Sequence, residues 1–224
     1  MEFVSKLINA FEDTANAEEA KGMEAYMKNL FQFYGIKAPI RKKILKELVD
    51  DHKDYFTHSN VTKITHTLYK KPHRELHYCA IELTARFLKK TYKVSDLDFI
   101  KTLITTNSWW DSVDFIAKHV LGNYLLLFPK EISSVIPEFS NSENMWLNRS
   151  AILFQLGYKD KTDTKLLFSL CAQHKSSDEF FIKKAIGWAL REYSKVNPRA
   201  VKDFVSKTKL KPLSEKEALK RIQL

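Results

Sequence analysis

The stretch His73–Tyr92, HRELHYCAIELTARFLKKTY, sets the fold class of this chain. Leu76, Cys79, Ala80, Leu83 and Phe87 recur at i, i+3, i+4, i+7 and i+11, one apolar face of an amphipathic helix. The same period returns along most of the 224 residues. Gly and Pro together make up about 5% of the chain, against about 12% in average usage. An all-β or α/β chain of this length needs many tight turns, and this one has few residues to make them. The reading is all-α.

The periodicity predicts helices near 2–14, 18–34, 39–53, 60–70, 73–92, 95–105, 109–121, 129–139, 143–156, 163–174, 178–195, 198–207 and 214–222. Gly35, Gly122 and Gly157 follow apolar runs, where a left-handed C-cap belongs. Pro39, Pro129 and Pro198 stand where a helix would start, and Pro137 is expected to end one. Asn60, Ser95, Thr162, Ser177 and Ser214 are the expected N-caps. The middle groups into pairs, 60–92, 95–121, 129–156 and 163–195, at the spacing of two-helix solenoid repeats. Second helices of such pairs share one concave face, where residues of several repeats converge. We therefore expect a curved α-α superhelix: one domain over 1–224, with 1–55 as a helical cap.

Lys and Arg number 37 against 27 Asp and Glu, a formal net charge of +10. Residues 183–224 hold 12 of the former and 4 of the latter, so most of the excess lies in the last fifth of the chain. This balance points to a polyanion as partner. Cys79 and Cys171 sit in apolar helical patterns, as buried free thiols do. With no signal-like leader and no long apolar span, the expected location is the cytoplasm, without membrane contact.

Chemistry concentrates in Asn107-Ser108-Trp109-Trp110-Asp111-Ser112-Val113-Asp114. Ser108 or Asn107 is expected to cap a helix whose buried stripe is Trp109, Val113, Ile116, Ala117 and Val120. Trp110, Asp114 and Lys118, at i, i+4 and i+8, form a second stripe about 100° away. The bland alternative is a half-buried Trp beside a surface Asp114–Lys118 pair. Trp146 with Arg149, and Lys184 with Trp188 and Arg191, repeat the aromatic-plus-cation theme on two later helices. Cations with interleaved aromatics suit a nucleic-acid-binding face. Gly187, beside Trp188, signals close approach by a helix or a ligand backbone. His73 and His77, at i and i+4, lack a third ligand, so no metal is expected. No Walker loop, dinucleotide-binding turn, Cys-x-x-Cys or Gly-x-Ser-x-Gly occurs, which leaves phosphoryl transfer, redox and serine hydrolysis unsupported.

Ser108–Asp114 (SWWDSVD), Trp146–Leu156 (WLNRSAILFQL) and Phe181–Tyr193 (FIKKAIGWALREY) resemble the DNA alkylation repair family typified by AlkD, a bacterial group of HEAT-like-repeat DNA glycosylases. Glu24–Phe31 and Gly35–Arg41 are similar to it as well. The resemblance covers nearly the whole chain. It implies Asp114 as the catalytic carboxylate and Trp110 and Trp188 as active-site aromatics. It also implies Arg149 at the DNA backbone and Tyr26 near the lesion. Lys118, Lys184, Arg191 and Trp146 complete the expected DNA contacts.

The implied reaction is hydrolysis of the N-glycosidic bond of cationic purines, such as 3-methyladenine and 7-methylguanine, in duplex DNA. It implies a bacterial, nucleoid-associated monomer without cofactor or obligate protein partner. It further implies a duplex lying in the concave cleft, with no tight base pocket and hence tolerance of bulky adducts. Two other classes remain open at this point: a non-catalytic repeat protein that binds distorted or branched DNA, and a protein–protein scaffold.

Overall fold

The computed structural model describes residues 2–222, and these are helical with short connections. Among the described residues there is no strand, only an isolated bridge between Gln32 and His73. None of their helices is long and apolar enough to cross a membrane. The chain divides into two compact units between Lys93 and Val94.

The first unit holds α1 (Glu2–Thr14), α2 (Ala17–Tyr26), α3 (Ala38–Asp50), α4 (His58–Tyr69) and α5 (Arg74–Phe87). In α5, Leu76, Cys79, Ala80 and Leu83 are all buried, as their spacing requires, and the helix packs against α4 and α3. Each leucine so buried stabilises the fold by about 1.5–3 kcal/mol. Phe87 is half-buried and stacks on Phe56 with centroids 4.4 Å apart.

The helix expected over 18–34 stops at Tyr26. Lys28 and Asn29 turn left-handed (φ 60° and 57°), and the Asn29 amide donates back to the Glu24 carbonyl at 2.8 Å. Beyond this turn, the buried Glu75 carboxylate of α5 accepts from the amides of Tyr34, Gly35 and Ile36 at 3.1, 2.9 and 3.1 Å. A tertiary partner thus serves amides that a longer helix would have paired. Gly35 is left-handed (φ 84°) inside this segment, not at a helix end. A Cβ there would lie 2.0 Å from the Asn16 carbonyl oxygen.

The second unit holds α6 (Leu97–Thr105), α7 (Trp110–Ile116), α8 (Gly122–Leu127), α9 (Ile132–Ser140), α10 (Met145–Leu153), α11 (Thr164–Gln173), α12 (Phe180–Tyr193), α13 (Pro198–Thr208) and α14 (Pro212–Leu219). α7 does not end at Gly122 as expected; it runs through a π-helical turn, Ala117–Leu121, into α8. Gly122 has an ordinary helical φ of −59°. It is required there by packing, since a Cβ would lie 2.6 Å from the Phe154 carbonyl oxygen. Gly157, by contrast, is left-handed (φ 88°). Pro137 does not stop α9, which continues to Ser140.

The N-caps fall one to three residues from the expected positions. Thr57 caps α4 by accepting from the Asn60 amide, and Asp163 caps α11 by accepting from Leu166. Ser214 is buried within α14. α10 packs against both α7 and α12, so three second helices of consecutive pairs are neighbours. Both cysteines are buried and free.

Candidate active site

Asp114 lies one turn after Trp110 on α7, with its side chain 14% exposed. Arg149 on α10 meets it edge to edge: Nε donates to Oδ1 at 2.7 Å and Nη2 to Oδ2 at 2.8 Å. This fork-on-carboxylate geometry is the strongest form of ion pair. The remaining guanidinium nitrogen, Nη1, donates to the Phe181 carbonyl on α12. One side chain, itself only 5% exposed, therefore ties three helices together at the carboxylate. Asn144 starts α10 by accepting from the Trp146 amide at 2.9 Å, which sets the register that aims Arg149 inward. Burial raises the Asp114 pKa; the Arg149 hydrogen bond and charge oppose it without cancelling it.

Aromatic rings flank the pair. Trp109, Trp146 and Phe181 form a triangle with centroids 5.8, 5.1 and 5.1 Å apart. The Arg149 guanidinium carbon is 5.8 Å from the centre of the Phe181 ring. The Trp109 Nε1 is buried and meets no acceptor among the described residues. Trp109 was expected in the buried stripe of α7. Instead it occupies the N-cap position, half-buried, while Val113, Ile116, Ala117 and Val120 are fully buried. Ser108 does not cap α7; its hydroxyl donates back to the Ile104 carbonyl at 2.6 Å. Trp110 is half-buried as the first residue of α7. Trp188 is half-buried on α12 and packs against the core of this unit.

The expected cations fare differently from one another. The alternative Asp114–Lys118 pair is replaced by Asp114–Arg149. Lys118 lies in the π-helical turn, with its Cε 3.3 Å from where a Cβ on Gly157 would stand. Lys184 and Arg191 both bind Glu217 of α14, a residue that sequence reasoning did not single out. The neighbour demanded by Gly187 is α14, not a ligand backbone, since a Cβ there would stand 2.4 Å from the Glu217 Cβ. Tyr26 ends α2 in the first unit and is 68% exposed. His77 is buried and bonded to the Lys71 carbonyl at 2.7 Å, and His73 stacks on Tyr34.

A carboxylate held in this way can stabilise a developing cation or take a proton from water, and the aromatic faces can attract a cation. The model of the DNA alkylation repair enzyme family matches residues 7–222. The chain belongs to that family. It is similar to a predicted DNA alkylation repair enzyme of Enterococcus faecalis, at 34% identity and a TM-score of 0.84, over 93% of this chain and 96% of that one. AlkD2 of Streptococcus mutans shares the fold at 20% identity and TM-score 0.63, over 82% and 90% of the two chains. The protein smu.31 of Streptococcus mutans UA159 does so at 19% and 0.59, over 82% and 100%. No curated protein matches. As a member of the DNA alkylation repair enzyme family, the chain is an enzyme of alkylated-DNA repair, with DNA as its partner.

Proposed function

We propose that this protein is a monofunctional DNA glycosylase that releases cationic alkylpurines, 3-methyladenine and 7-methylguanine among them, from duplex DNA. The observation that carries this reading is the largely buried Asp114 carboxylate, gripped bidentately by Arg149 beside the rings of Trp109, Trp146 and Phe181. Alkylation at a ring nitrogen already places positive charge on the base. When the N-glycosidic bond breaks, its electron pair neutralises that charge and the base leaves without a general acid. The deoxyribose becomes oxocarbenium-like, and ionised Asp114 stabilises it. Water adds at C1′ and gives up its proton to the carboxylate, which leaves an abasic site. Trp110 and Trp188 contribute cation–π attraction to the sugar. Neutral lesions should be poor substrates, since their release requires a proton delivered to the base.

Arg149, Lys118, Trp146 and Tyr26 hold the duplex, and at a lesion Lys184 and Arg191 join them by leaving Glu217. We further propose a single repeat domain over 1–224, capped by 1–55, that acts as a cytoplasmic monomer without cofactor. The family match supports the single domain, because it runs across the boundary between the two compact units.

The test is release of free 7-methylguanine and 3-methyladenine from N-methylated duplex by wild type and Asp114→Asn, with duplex binding measured in parallel. We expect the variant to bind DNA and to release base roughly 100-fold or more slowly. If neither protein releases base while both bind duplex, the non-catalytic reading replaces this one.

A further inference from the structure

Lys184 and Arg191 stand two turns apart on α12, with Gly187 between them. α14 crosses at that glycine. A Cβ on Gly187 would meet the Glu217 Cβ at 2.4 Å and the Ser214 carbonyl oxygen at 2.9 Å, so no side chain separates the two helices. The Ser214 hydroxyl donates to the Lys183 carbonyl at 3.0 Å, and Ala218 is buried, which seats α14 in one register. From that seat the Glu217 carboxylate reaches both cations. Its Oε1 accepts from Lys184 at 2.9 Å and its Oε2 from Arg191. The carboxylate is only 15% exposed, and the cations 38% and 22%. The Lys184 hydrogen bond holds the Glu217 carboxyl below the usual range, so it is ionised at neutral pH.

We propose that Glu217 sets how tightly this protein holds undamaged duplex, by keeping Lys184 and Arg191 in an internal triad instead of on phosphates. The inference rests on the proposed DNA-binding role of the α12 face. A free pair of cations on α12 would displace counterions from two more phosphates and strengthen binding at every sequence, damaged or not. With Glu217 in place, a phosphate must displace a carboxylate that the backbone contact at Gly187 has already positioned. Non-specific grip is thereby reduced, and an enzyme that must leave undamaged DNA to continue its search is freed from it.

The experiment is equilibrium binding of an undamaged duplex over a salt series, read as the slope of log affinity against log salt. Each added phosphate contact steepens that slope by about 0.9. Glu217→Gln should raise affinity at low salt and steepen the slope by about 1 to 2. Adding Lys184→Met and Arg191→Met to Glu217→Gln should return the slope to that of wild type. Glu217→Asp keeps the charge but falls one methylene short of bridging both cations, and its slope should lie between. Should Glu217→Gln fail to fold, Glu217→Asp carries the test by the same criterion. A wild-type slope in the folded single variants, or an undiminished slope in the triple variant, overturns the inference and leaves the glycosylase reading standing. No duplex binding by wild type overturns both.

Discussion

Each compact unit contains a buried arginine that grips a carboxylate with two hydrogen bonds. In the first, Arg41 of α3 holds Glu82 of α5 at 2.7 and 2.9 Å, with side chains 5% and 23% exposed. In the second, Arg149 holds Asp114 at 2.7 and 2.8 Å, with side chains 5% and 14% exposed. The pairs are nearly superposable in chemistry; their surroundings are not. Arg41 has its remaining reach filled by the Cys79 sulfur at 3.6 Å and by the Tyr78 ring, centred 5.3 Å away. Burial pushes the Cys79 thiol up to about 12, so that neighbour is neutral and inert. Arg149 instead bonds a backbone carbonyl at the edge of an aromatic triangle, and its carboxylate shares α7 with a half-buried tryptophan. A buried ion pair is thus not a functional signal by itself. The first braces two helices; the second holds a charge beside a cluster of aromatic rings, where the proposed reaction places a cationic sugar.

Substituting the two arginines breaks the comparison most directly. Arg41→Met and Arg149→Met each strand a poorly solvated carboxylate, and each should lower stability by about 3 kcal/mol in urea unfolding. Only Arg149→Met should also slow base release, by up to about 100-fold, because Asp114 loses the partner that positions it. Equal losses of activity per folded molecule would mean that the two ion pairs do not differ in function.

Gly187→Ala probes the near touch of α12 and α14 in the second unit. The added methyl should cost about 1–3 kcal/mol, seen as a lower melting temperature, because backbone and the Glu217 stem must move apart.

The smallest effect sharpens the comparison through pH. The Asp114 pKa is raised above its ordinary 3.8, by burial first. A folded chain that holds this proton more tightly than the unfolded chain has the associated stability in full below 3.8 and loses it as pH rises through the folded value. Because the proposed reaction uses the ionised form, base release should rise through the same window, above the ordinary aspartate range. Single-turnover rates on 7-methylguanine duplex, followed from about pH 4 to 8, check this. An acid limb at the ordinary value would show that the carboxylate is solvated in the working enzyme.

Much of this was legible in the residues. The i, i+3, i+4, i+7 pattern placed nearly every helix. The motifs around Asp114, Arg149 and Trp188 carried the family resemblance that the family match then supported. The misreadings share one cause. Residues 27–34 read as helix because their apolar pattern is helical, yet the chain turns left-handed at Lys28 and Asn29, and the acceptor for the amides of Tyr34, Gly35 and Ile36 is Glu75, some forty residues away. Gly122 read as a helix end because glycine often is one, yet its reason is the Phe154 carbonyl across the unit.

By itself, then, the sequence determined what short-range physics can specify: helices, their buried faces, the basic excess, and an inventory of aromatics, carboxylate and cations. Only the tertiary structure decided partners. Asp114 and Arg149 are 35 residues apart, and Glu217 lies 33 and 26 residues from Lys184 and Arg191. Helical periodicity tells which side of a helix a residue occupies. It is silent on the register between helices, which comes from packing at points such as Gly187. That register joined Arg149 to the carboxylate and turned two expected DNA contacts toward Glu217.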